Sequence, residues 1–572
     1  MSSAIHMVKC IFFLALLIEV AGQGPPLQRV ENTVAQPPGS SPAPEPRIHP
    51  EDKNAVKACR DRIRATDPSV SERYSESLIN TICSRNAMWQ RTVANITSSN
   101  HTFRKANFTE AQFEWLQSLH KCPDVECICQ RSNACATFDN VVNVTRRLLH
   151  RQRSKRQRFP VDNFLPNRAG RAFRQEIRQM SDGDRWRYFR AMNNLKNDFI
   201  DGMSKYDILV VYHTPDNAPE AHFSAAFLPF HREMLKNLEL ALRMYDTGVA
   251  LPYWDPTVDA PLPNPADSVL WTSDFFGNGF GDVVNGPFGN WFVMRDAEVG
   301  TLSRSGRLMR NLGRQGSLIN DRDVNTILSR PRYRNLVFCV DSFTELAHGA
   351  THMWVGGHMS PLRTSPNDPL FYSLHAFVDL IWENWRWRHQ GYQQRENEYV
   401  FNNEACNWVS RFDAQMQPYQ LSNGDGLSNR YTEVFYSYSD RPFCPGCGGT
   451  KYLFCDTRWN KCVSKIRLGG LCGGYEGFDA CFNGQCVDGR CVRGQFSGPE
   501  NNNNEQTGSC TDTHANCGMW ASQGECQSNA AWMSVGCPVS CNTCTSDTAG
   551  AACAIGGGDE SSNTVQPDGK HE

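Results

Sequence analysis

The chain has 572 residues, which is enough for more than one domain and for a large buried core. Its formal net charge at neutral pH is −2, so we expect no polyanionic partner such as a nucleic acid. Beyond the N-terminal segment no run of about 18 apolar residues occurs, so no membrane span is predicted.

Residues 1–22 are typical of a secretory signal peptide. A lysine precedes the short apolar run IFFLALLIEV, and two small residues, Ala21 and Gly22, precede the expected cleavage point. We therefore expect a secreted, extracellular protein whose cysteines form disulfides. Residues 23–50, rich in proline and serine (QPPGSSPAPEPRIHP), are predicted to be an extended linker without a core.

Residues 51–156 are predicted to be a helical, glycosylated region. An even number of cysteines in an extracellular chain predicts three disulfides, whose connectivity the sequence does not determine. The six cysteines are Cys59, Cys83, Cys122, Cys127, Cys129 and Cys135. Four glycosylation sequons lie in this region and none follows it. Their asparagines are Asn95, Asn100, Asn107 and Asn143.

A basic run, HRQRSKRQRF, follows at residues 150–159. Two interpretations remain open. The run is either a solvated charged loop or a proprotein-convertase site, because Arg153-Ser-Lys-Arg156 fits the pattern R-x-K-R. In the second case the chain is cut after Arg156, and residues 51–156 are either a pro-segment or a subunit held by disulfides.

The stretch Tyr212–Arg232 holds three histidines, His213, His222 and His231, each nine positions from the next. A nine-residue step turns an ideal α-helix by about 900°, so one helix would place neighbouring histidines on opposite faces. The intervening prolines instead predict a loop or helix end around the first two. The apolar spacing of FHREMLKNLELALRMY predicts that His231 lies near the start of a helix.

A second set of histidines follows downstream. His348 and His352 are four residues apart, which on a helix places both imidazoles on one face. His375 lies in DPLFYSLHAFVDLIWENWR, where Asp368 and Pro369 are predicted to be the N-cap and first residue of another helix. Imidazole suits zinc, copper, iron and nickel, and the HxxxH pair lacks the glutamate of HExxH zinc hydrolases. Two all-histidine triads favour a dicopper centre.

These motifs resemble the copper-A and copper-B signatures of the tyrosinase family, in particular the secreted enzymes of molluscs and nematodes. The resemblance rests on HFSAAFLPFHR, HGATHMWVGGHM, NDPLFYSLHAFVDLIW and the closing motif Tyr436-Ser-Tyr438. It implies a copper-binding domain over residues 157–440 that is mainly α-helical, with a central four-helix bundle holding two copper ions. It also implies the ligands, namely His213, His222 and His231 for copper A and His348, His352 and His375 for copper B.

By the same resemblance, the protein oxidises o-diphenols to o-quinones with O₂, and monophenols such as tyrosine if they are hydroxylated first. The quinones would crosslink extracellular matrix proteins, tan a shell or cuticle, or form melanin. A dicopper oxygen-binding protein and a non-catalytic structural matrix protein are the alternatives. Relatives with strong monophenolase activity often carry asparagine directly after the first copper-B histidine. Gly349 occupies that position here, so we expect a bias toward o-diphenols.

Two further polar residues of this domain invite an interpretation. Asp379, one helical turn after His375, is predicted to accept a hydrogen bond from an imidazole, and a carboxylate on the helix surface is the open alternative. His358 is interpreted as a rim or structural residue.

Cys339 and Cys406, the domain's only cysteines, are expected to pair. Six tryptophans are expected in the core, namely Trp254, Trp271, Trp291, Trp382, Trp385 and Trp387.

The C-terminal part is predicted to consist of small disulfide-rich modules. Residues 441–492 carry eight cysteines among glycines, which predicts about four disulfides. A linker at residues 493–509 precedes residues 510–544, whose spacing C-x6-C-x8-C-x10-C-x3-C-x2-C is similar to the ShK toxin-like module of invertebrate secreted enzymes. Residues 545–572 are polar and predicted to be a disordered tail.

Overall fold

The computed structural model describes residues 50–66, 70–98, 108–121, 171–293 and 306–494, the single positions 496 and 512, and the short pieces 517–522, 525–528 and 537–543. Several sequence predictions concern residues outside these ranges and stay predictions. They are the signal peptide, the linker up to residue 49, the sequons at Asn100, Asn107 and Asn143, the cleavage site at Arg156 and the C-terminal tail.

Helices make up the described part of the N-terminal region, in agreement with the sequence prediction. They are α1 (Lys53–Thr66), α2 (Val70–Arg73), α3 (Glu76–Ser98) and α4 (Glu110–Lys121). A disulfide between Cys59 and Cys83 joins α1 to α3, and the other four cysteines of this region lie outside the described residues. Asn95, the one sequon asparagine that is described, is exposed near the end of α3.

The central region is built mainly from helices. They are α5 (Asp182–Asn197), α6 (Lys205–Val211), α7 (Phe227–Arg243), α8 (Asp321–Leu328), α9 (Phe343–Val355), α10 (Leu370–His389) and α11 (Tyr392–Asn397). Helix α7 is buried along its whole length and packs against α4, α5 and α10. This helical core agrees with the predicted mainly α fold class, while the four-helix bundle stays a prediction.

Helix α10 begins one residue later than the sequence indicates. Pro369 occupies the N-cap position rather than the first helical turn. The Asp368 carboxylate still accepts the Leu370 N–H at 3.0 Å, but it also forms a two-point ion pair with Arg310, at 2.6 and 2.7 Å. The acidic side chain therefore ties the helix start to a distant segment, a contact that local sequence does not reveal.

Short two-stranded ribbons surround the helices. Strand β1 (Ala172–Arg174) pairs in parallel with β8 (Tyr436–Tyr438), so the motif predicted to close the domain lies beside its beginning. The other ribbons of the central region are antiparallel: β2 (Phe199–Ile200) with β3 (Met203–Ser204), β4 (Phe280–Asp282) with β5 (Met309–Asn311), and β6 (Gln415–Met416) with β7 (Leu421–Ser422).

Disulfides hold the segment that follows, as the sequence predicts. Its eight cysteines form four bonds, Cys444–Cys455, Cys447–Cys462, Cys472–Cys486 and Cys481–Cys491. Two antiparallel ribbons lie here, β9 (Leu453–Asp456) with β10 (Lys461–Ser464) and β11 (Gly484–Val487) with β12 (Arg490–Arg493). Each disulfide links one of these four strands to a cysteine outside its ribbon. The predicted bond between Cys339 and Cys406 is also present. Beyond them, the short helices α12 (Cys517–Ser522) and α13 (Glu525–Ser528) carry the bonds Cys517–Cys537 and Cys526–Cys541.

Five of the six tryptophans expected in the core are buried, but the prediction for Trp387 is wrong. Its exposed fraction is 64%, whereas Trp385 is fully buried. Side chains two residues apart on a helix point in directions about 200° apart, so Trp385 and Trp387 face opposite sides of α10. The Arg395 guanidinium lies over the exposed Trp387 ring, 4.0 Å from its centroid.

Candidate metal centre

The first three histidines converge from three kinds of local structure. His213 lies two residues beyond the end of α6, His222 lies in the loop between α6 and α7, and His231 is in the first turns of α7. Their Nε2 atoms are 2.8 Å apart for His222 and His213 and 3.1 Å apart for His213 and His231. The prolines indicate that the helical structure is interrupted here. This interruption brings together three side chains that a single helix would separate.

The second three histidines come from two helices. His348 and His352 project from one face of α9, and His375 lies on α10. The Nε2 atom of His375 is 3.1 Å from that of His348 and 3.2 Å from that of His352. All three imidazoles are buried.

The two triads are neighbours. The rings of His231 and His375 stack with their centroids 4.1 Å apart and their planes 12° from parallel, and the rings of His222 and His348 lie 6.5 Å apart. Phe371 packs against imidazoles of both sets, 4.9 Å from His213 and 4.1 Å from His375. The arrangement offers two adjacent three-nitrogen sites inside an apolar shell.

Hydrogen bonds at Nδ1 orient several of these rings. The Nδ1–H groups of His213, His231 and His352 donate to the backbone carbonyls of Leu362, Phe227 and Met359, at 3.0, 2.8 and 3.1 Å. Such imidazoles keep a lone pair on Nε2. Lone pairs facing one another this closely repel unless a cation lies between them, and ligands about 2.0–2.1 Å from one metal ion have a similar spacing. Each triad therefore fits a metal ion.

Burial keeps the imidazoles uncharged. It lowers the pKa of His213 and His352 to about 3. Burial, and then repulsion by the neighbouring imidazoles, lowers the pKa of His222, His231 and His375 well below the usual value. Burial likewise lowers the pKa of His348. Neutral imidazole is the form that binds a metal, so no proton competes with the ion at neutral pH.

Glu345 is a site residue whose position the sequence does not reveal. It lies on α9, one turn before His348, yet its carboxylate contacts the other triad, with Oε1 3.1 Å from His222 Nδ1. It also accepts the Phe223 N–H with both oxygens, at 2.8 and 3.0 Å. Phe223 has a φ of 54°, a region that costs a side-chain-bearing residue roughly 1–2 kcal/mol. Glu345 thus holds a strained bend of the loop that carries His222, although it lies on the helix that carries His348 and His352. Burial raises the pKa of Glu345 to about 8.

Asp379 does not contact an imidazole, which corrects its predicted role. Its carboxylate accepts from Arg232 Nε at 2.7 Å and from the hydroxyls of Tyr436 and Tyr438 at 2.6 and 2.8 Å. It is also buried, so the alternative of a carboxylate on the helix surface is wrong too. Because Arg232 follows His231 on α7, Asp379 ties together the two helices that carry His231 and His375.

His358 lies outside both triads. Its side chain is buried, and Nδ1 accepts the Met309 N–H at 2.9 Å. This contact joins the turn after α9 to β5, which agrees with the interpretation of His358 as a structural residue.

Helix α3 of the N-terminal region borders the metal centre. The Trp89 ring meets His222 edge-on with centroids 4.9 Å apart, and its Nε1–H donates to the Pro219 carbonyl at 2.9 Å. Ile82, two turns earlier, lies against Gly349, where a Cβ atom would approach Ile82 Cδ1 to 2.9 Å. The N-terminal region therefore supplies part of the wall around the site.

None of the helices in the described ranges is long and apolar enough to cross a membrane.

Comparison with known proteins identifies two regions. Residues 203–388 match the common central domain of tyrosinase, and residues 509–544 match the ShK domain-like family. A polyphenol oxidase from Thermothelomyces thermophila aligns over 58% of this chain and 98% of its own, with 20% identity and a TM-score of 0.40.

Relatives in sequence come from animals and bacteria. The tyrosinase-like protein tyr-3 of Caenorhabditis elegans is 34% identical over 418 residues, which cover 66% of this chain and 58% of that protein. This chain thus spans a little over half of the nematode relative. A tyrosinase-like protein of Pinctada maxima is 30% identical over 57% of this chain and 72% of its own length. A tyrosinase of Streptomyces lincolnensis is 35% identical over 33% of this chain and 74% of its own length. The chain belongs to the tyrosinase family of copper proteins.

Proposed function

We propose that this protein is a secreted copper phenoloxidase that oxidises o-diphenols to o-quinones with O₂. The observation that carries the proposal is the pair of adjacent, neutral all-histidine triads. His213, His222 and His231 would hold copper A, and His348, His352 and His375 would hold copper B. Two bound copper ions, each able to cycle between Cu(I) and Cu(II), would supply the electron transfer between catechol and O₂.

The protein's own residues prepare this chemistry in three ways. Burial keeps the six imidazoles uncharged, so each nitrogen is free to bind. The hydrogen bonds at Nδ1, including that of His222 to Glu345, fix the ring orientations before a metal arrives. Phe371 and Trp89 pack on the imidazoles and exclude water from their flanks.

The reaction balances with two catechols for each O₂. Each catechol loses two electrons and two protons to become an o-quinone, and O₂ takes up four of each to give two waters. The quinones are electrophiles that react with lysine, cysteine and histidine side chains or polymerise. We therefore propose matrix crosslinking, shell or cuticle tanning, or melanin formation as the physiological outcome, with extracellular matrix proteins as further partners.

A copper count with matched variants tests the site and the function together. We expect about two copper ions in the full chain secreted from a eukaryotic host, with uptake of O₂ and formation of quinone from 4-methylcatechol. His231→Ala and His352→Ala should each leave about one copper and abolish oxidation, whereas His358→Ala should keep both ions. A protein that holds two coppers and O₂ but oxidises no catechol would be an oxygen-binding protein, contrary to the proposal. Loss of copper in His358→Ala but not in His352→Ala would refute the ligand assignment.

A further inference from the structure

One face of helix α3 is turned toward the metal centre. Ile82, Arg85 and Trp89 are spaced three and four residues apart, so their side chains lie on the same side of the helix. Ile82 lies against Gly349 beside His348, and Trp89 contacts His222. Between them, Arg85 Nη2 donates to Ser360 Oγ at 3.0 Å. Along the helix, the cationic member of this face therefore lies between a residue that contacts His222 and one that contacts the neighbour of His348.

Arg85 is also close to a copper-B histidine. Ser360 directly follows Met359, whose carbonyl accepts the Nδ1–H of His352. Burial lowers the pKa of Arg85 itself to about 10, which leaves the guanidinium charged at neutral pH.

Arg85 differs from several buried arginines of the central region, which face carboxylates. Arg174 pairs with Glu239, Arg178 with Glu176, and Arg310 with Asp368. Within the described ranges no carboxylate lies within ion-pair distance of Arg85, and its described hydrogen bond goes to a neutral hydroxyl. A guanidinium withdrawn from water without a counter-charge is costly. The residue as a whole keeps some surface exposed to solvent, and an anionic ligand would supply the missing counter-charge.

We propose that Arg85 recognises the carboxylate of the substrate, so that the preferred substrates are o-diphenols bearing an acid group. The inference rests on the proposed phenoloxidase function and deepens it. Guanidinium is suited to this role because its N–H donors match the two oxygens of a carboxylate. The group that selects the substrate thus comes from the N-terminal region, outside residues 203–388 that match the central tyrosinase domain.

The wild-type protein provides the first test. Three catechols of similar size and different charge should be oxidised in the order 3,4-dihydroxyphenylpropionate, 4-methylcatechol, dopamine when ranked by kcat/KM at neutral pH. Raising the ionic strength should reduce the differences in kcat/KM among the three catechols, because salt screens the Coulombic part of the preference. Equal values, or a preference for the cationic amine, would overturn the proposal without any variant being made.

Variants then assign the preference to one residue. Arg85→Gln should lower the ratio of kcat/KM for the acid to that for 4-methylcatechol by on the order of 10-fold or more, chiefly through KM, since a hydrogen bond to a charged group is lost. Arg85→Lys keeps the positive charge but lacks the planar guanidinium with its paired N–H donors. Its kcat/KM ratio should therefore lie between those of the wild type and Arg85→Gln. The control is Arg91→Gln, on the same helix but paired with Asp52 at 2.8 Å, and it should keep the wild-type ratio. An Arg85→Gln protein that is folded and copper-loaded but keeps the ratio would refute the assignment.

Binding without turnover separates this inference from the proposed function. Under anaerobic conditions the copper-loaded protein should bind 3,4-dihydroxyphenylpropionate more tightly than 4-methylcatechol, and Arg85→Gln should remove most of that difference. A protein that oxidises neither catechol but shows this binding difference would defeat the phenoloxidase proposal and retain the role of Arg85. A protein that oxidises both catechols equally well, whatever their charge, would support the phenoloxidase proposal and refute the role of Arg85.

A DOPA residue within a peptide distinguishes the two sources of the anion. A free catecholic acid carries its carboxylate on the reacting molecule, whereas a matrix protein would present acidic neighbours. If the target is a protein, acidic DOPA peptides should be preferred over basic ones with the same dependence on Arg85. If only small acids depend on Arg85, the substrate is a free catecholic acid. If oxidation of neither the acidic peptides nor the small acids depends on Arg85, the proposal is wrong.

Discussion

At the scale of single residues, the histidines proposed as metal ligands differ in the groups that orient their rings. Backbone carbonyls accept the Nδ1–H of His213, His231 and His352, and a side-chain substitution cannot remove them. His222 instead depends on the carboxylate of Glu345, 123 positions away in sequence. It is therefore the ligand whose orientation one substitution loosens most directly.

We expect Glu345→Ala to weaken copper binding at the first triad by about 10- to 100-fold, because outer partners of metal-bound histidines have effects of this size. Glu345→Gln retains an acceptor for the Phe223 N–H and should lie between wild type and the alanine variant. Copper titration against a competing chelator measures the affinity directly. The matched control is Glu433→Gln, at an exposed position, and an Ala variant that binds as tightly as this control would exclude an orienting role.

Gly349 is the residue at which we expect the balance between tyrosine and catechol oxidation to change. An asparagine there offers a side-chain amide that can orient a water to deprotonate a monophenol, whose pKa is roughly 10. Gly349→Asn should therefore raise the rate on tyrosine relative to L-DOPA. A complete general base contributes about 10²–10⁴-fold, so partial restoration is measurable from initial rates.

The neighbouring side chain sets the condition for that test. A Cβ atom at position 349 would lie 2.9 Å from Ile82 Cδ1, so the end of the isoleucine must move. Combining Gly349→Asn with Ile82→Val supplies the room, and Ile82→Val alone is the control. A fully copper-loaded double variant whose rate ratio equals that of the control would show that the amide has no such role.

At the scale of elements, a buried ion network joins helices α7 and α10. Arg232 on α7 pairs with both Asp379 and Glu383 on α10, at 2.7 and 2.8 Å. His231 precedes the arginine directly, and His375 lies one turn before Asp379. The network thus sets the distance between one ligand of each triad.

We expect Asp379→Asn to reduce the free energy of unfolding by about 3–5 kcal/mol, the usual cost of breaking a buried pair. Burial raises the pKa of Asp379, but the charges of Arg232 and Arg174 outweigh it and hold the pKa below its usual value. Its stabilising effect is therefore complete above the unfolded-state pKa of about 3.9 and is lost as the pH falls through the lower folded-state value.

Denaturant titrations at several pH values measure this difference. The gap between wild type and Asp379→Asn should be largest near neutral pH and should shrink in acid. The exposed Asp413→Asn is the control and should match wild type throughout. A gap that stays constant as the pH falls would contradict the ionic origin of the effect.

The sequence predicts local features well and distant contacts poorly. The loop at His213 and His222, the helix at His231 and the i, i+4 pair on α9 follow from prolines and helical spacing alone. Glu345 and Arg85 could not be placed, because each acts on a segment more than a hundred residues away. Asp379 shows the same limit, since its spacing from His375 indicates a shared helix but does not reveal that Arg232 would occupy the carboxylate.

At the scale of the whole molecule, the N-terminal helices are docked on the central region by buried contacts. Trp89 and Trp115 are 1% and 2% exposed. His120 Nδ1 lies 3.0 Å from Glu233 Oε1, and Lys236 Nζ donates to the backbone carbonyls of α4. Separating this region would expose the apolar side chains of α7 that it covers and would remove His120 as a partner of the Glu233 carboxylate.

If the chain is cut after Arg156, we therefore expect the N-terminal piece to stay bound. A denaturing gel should show two pieces, one starting at Gln157, while native size-exclusion chromatography should show a single species with unchanged copper content. Arg156→Ala is the uncut control. Two separate native peaks would contradict the docking argument, and secreted protein that starts only near Gln23 would rule out cleavage itself.

The parallel ladder between β1 and β8 determines where mechanical load would pass. The two segments lie side by side, at opposite ends of the central region in sequence, so tension applied through the flanking chain would meet three paired residues before it reached any ligand-bearing helix. Arg174, in β1, reinforces the junction through Glu239 on α7 and the Tyr438 hydroxyl of β8. If the proposed crosslinking of a surrounding matrix is this protein's role, the ladder would shield the two histidine triads from the strain that the hardened matrix creates.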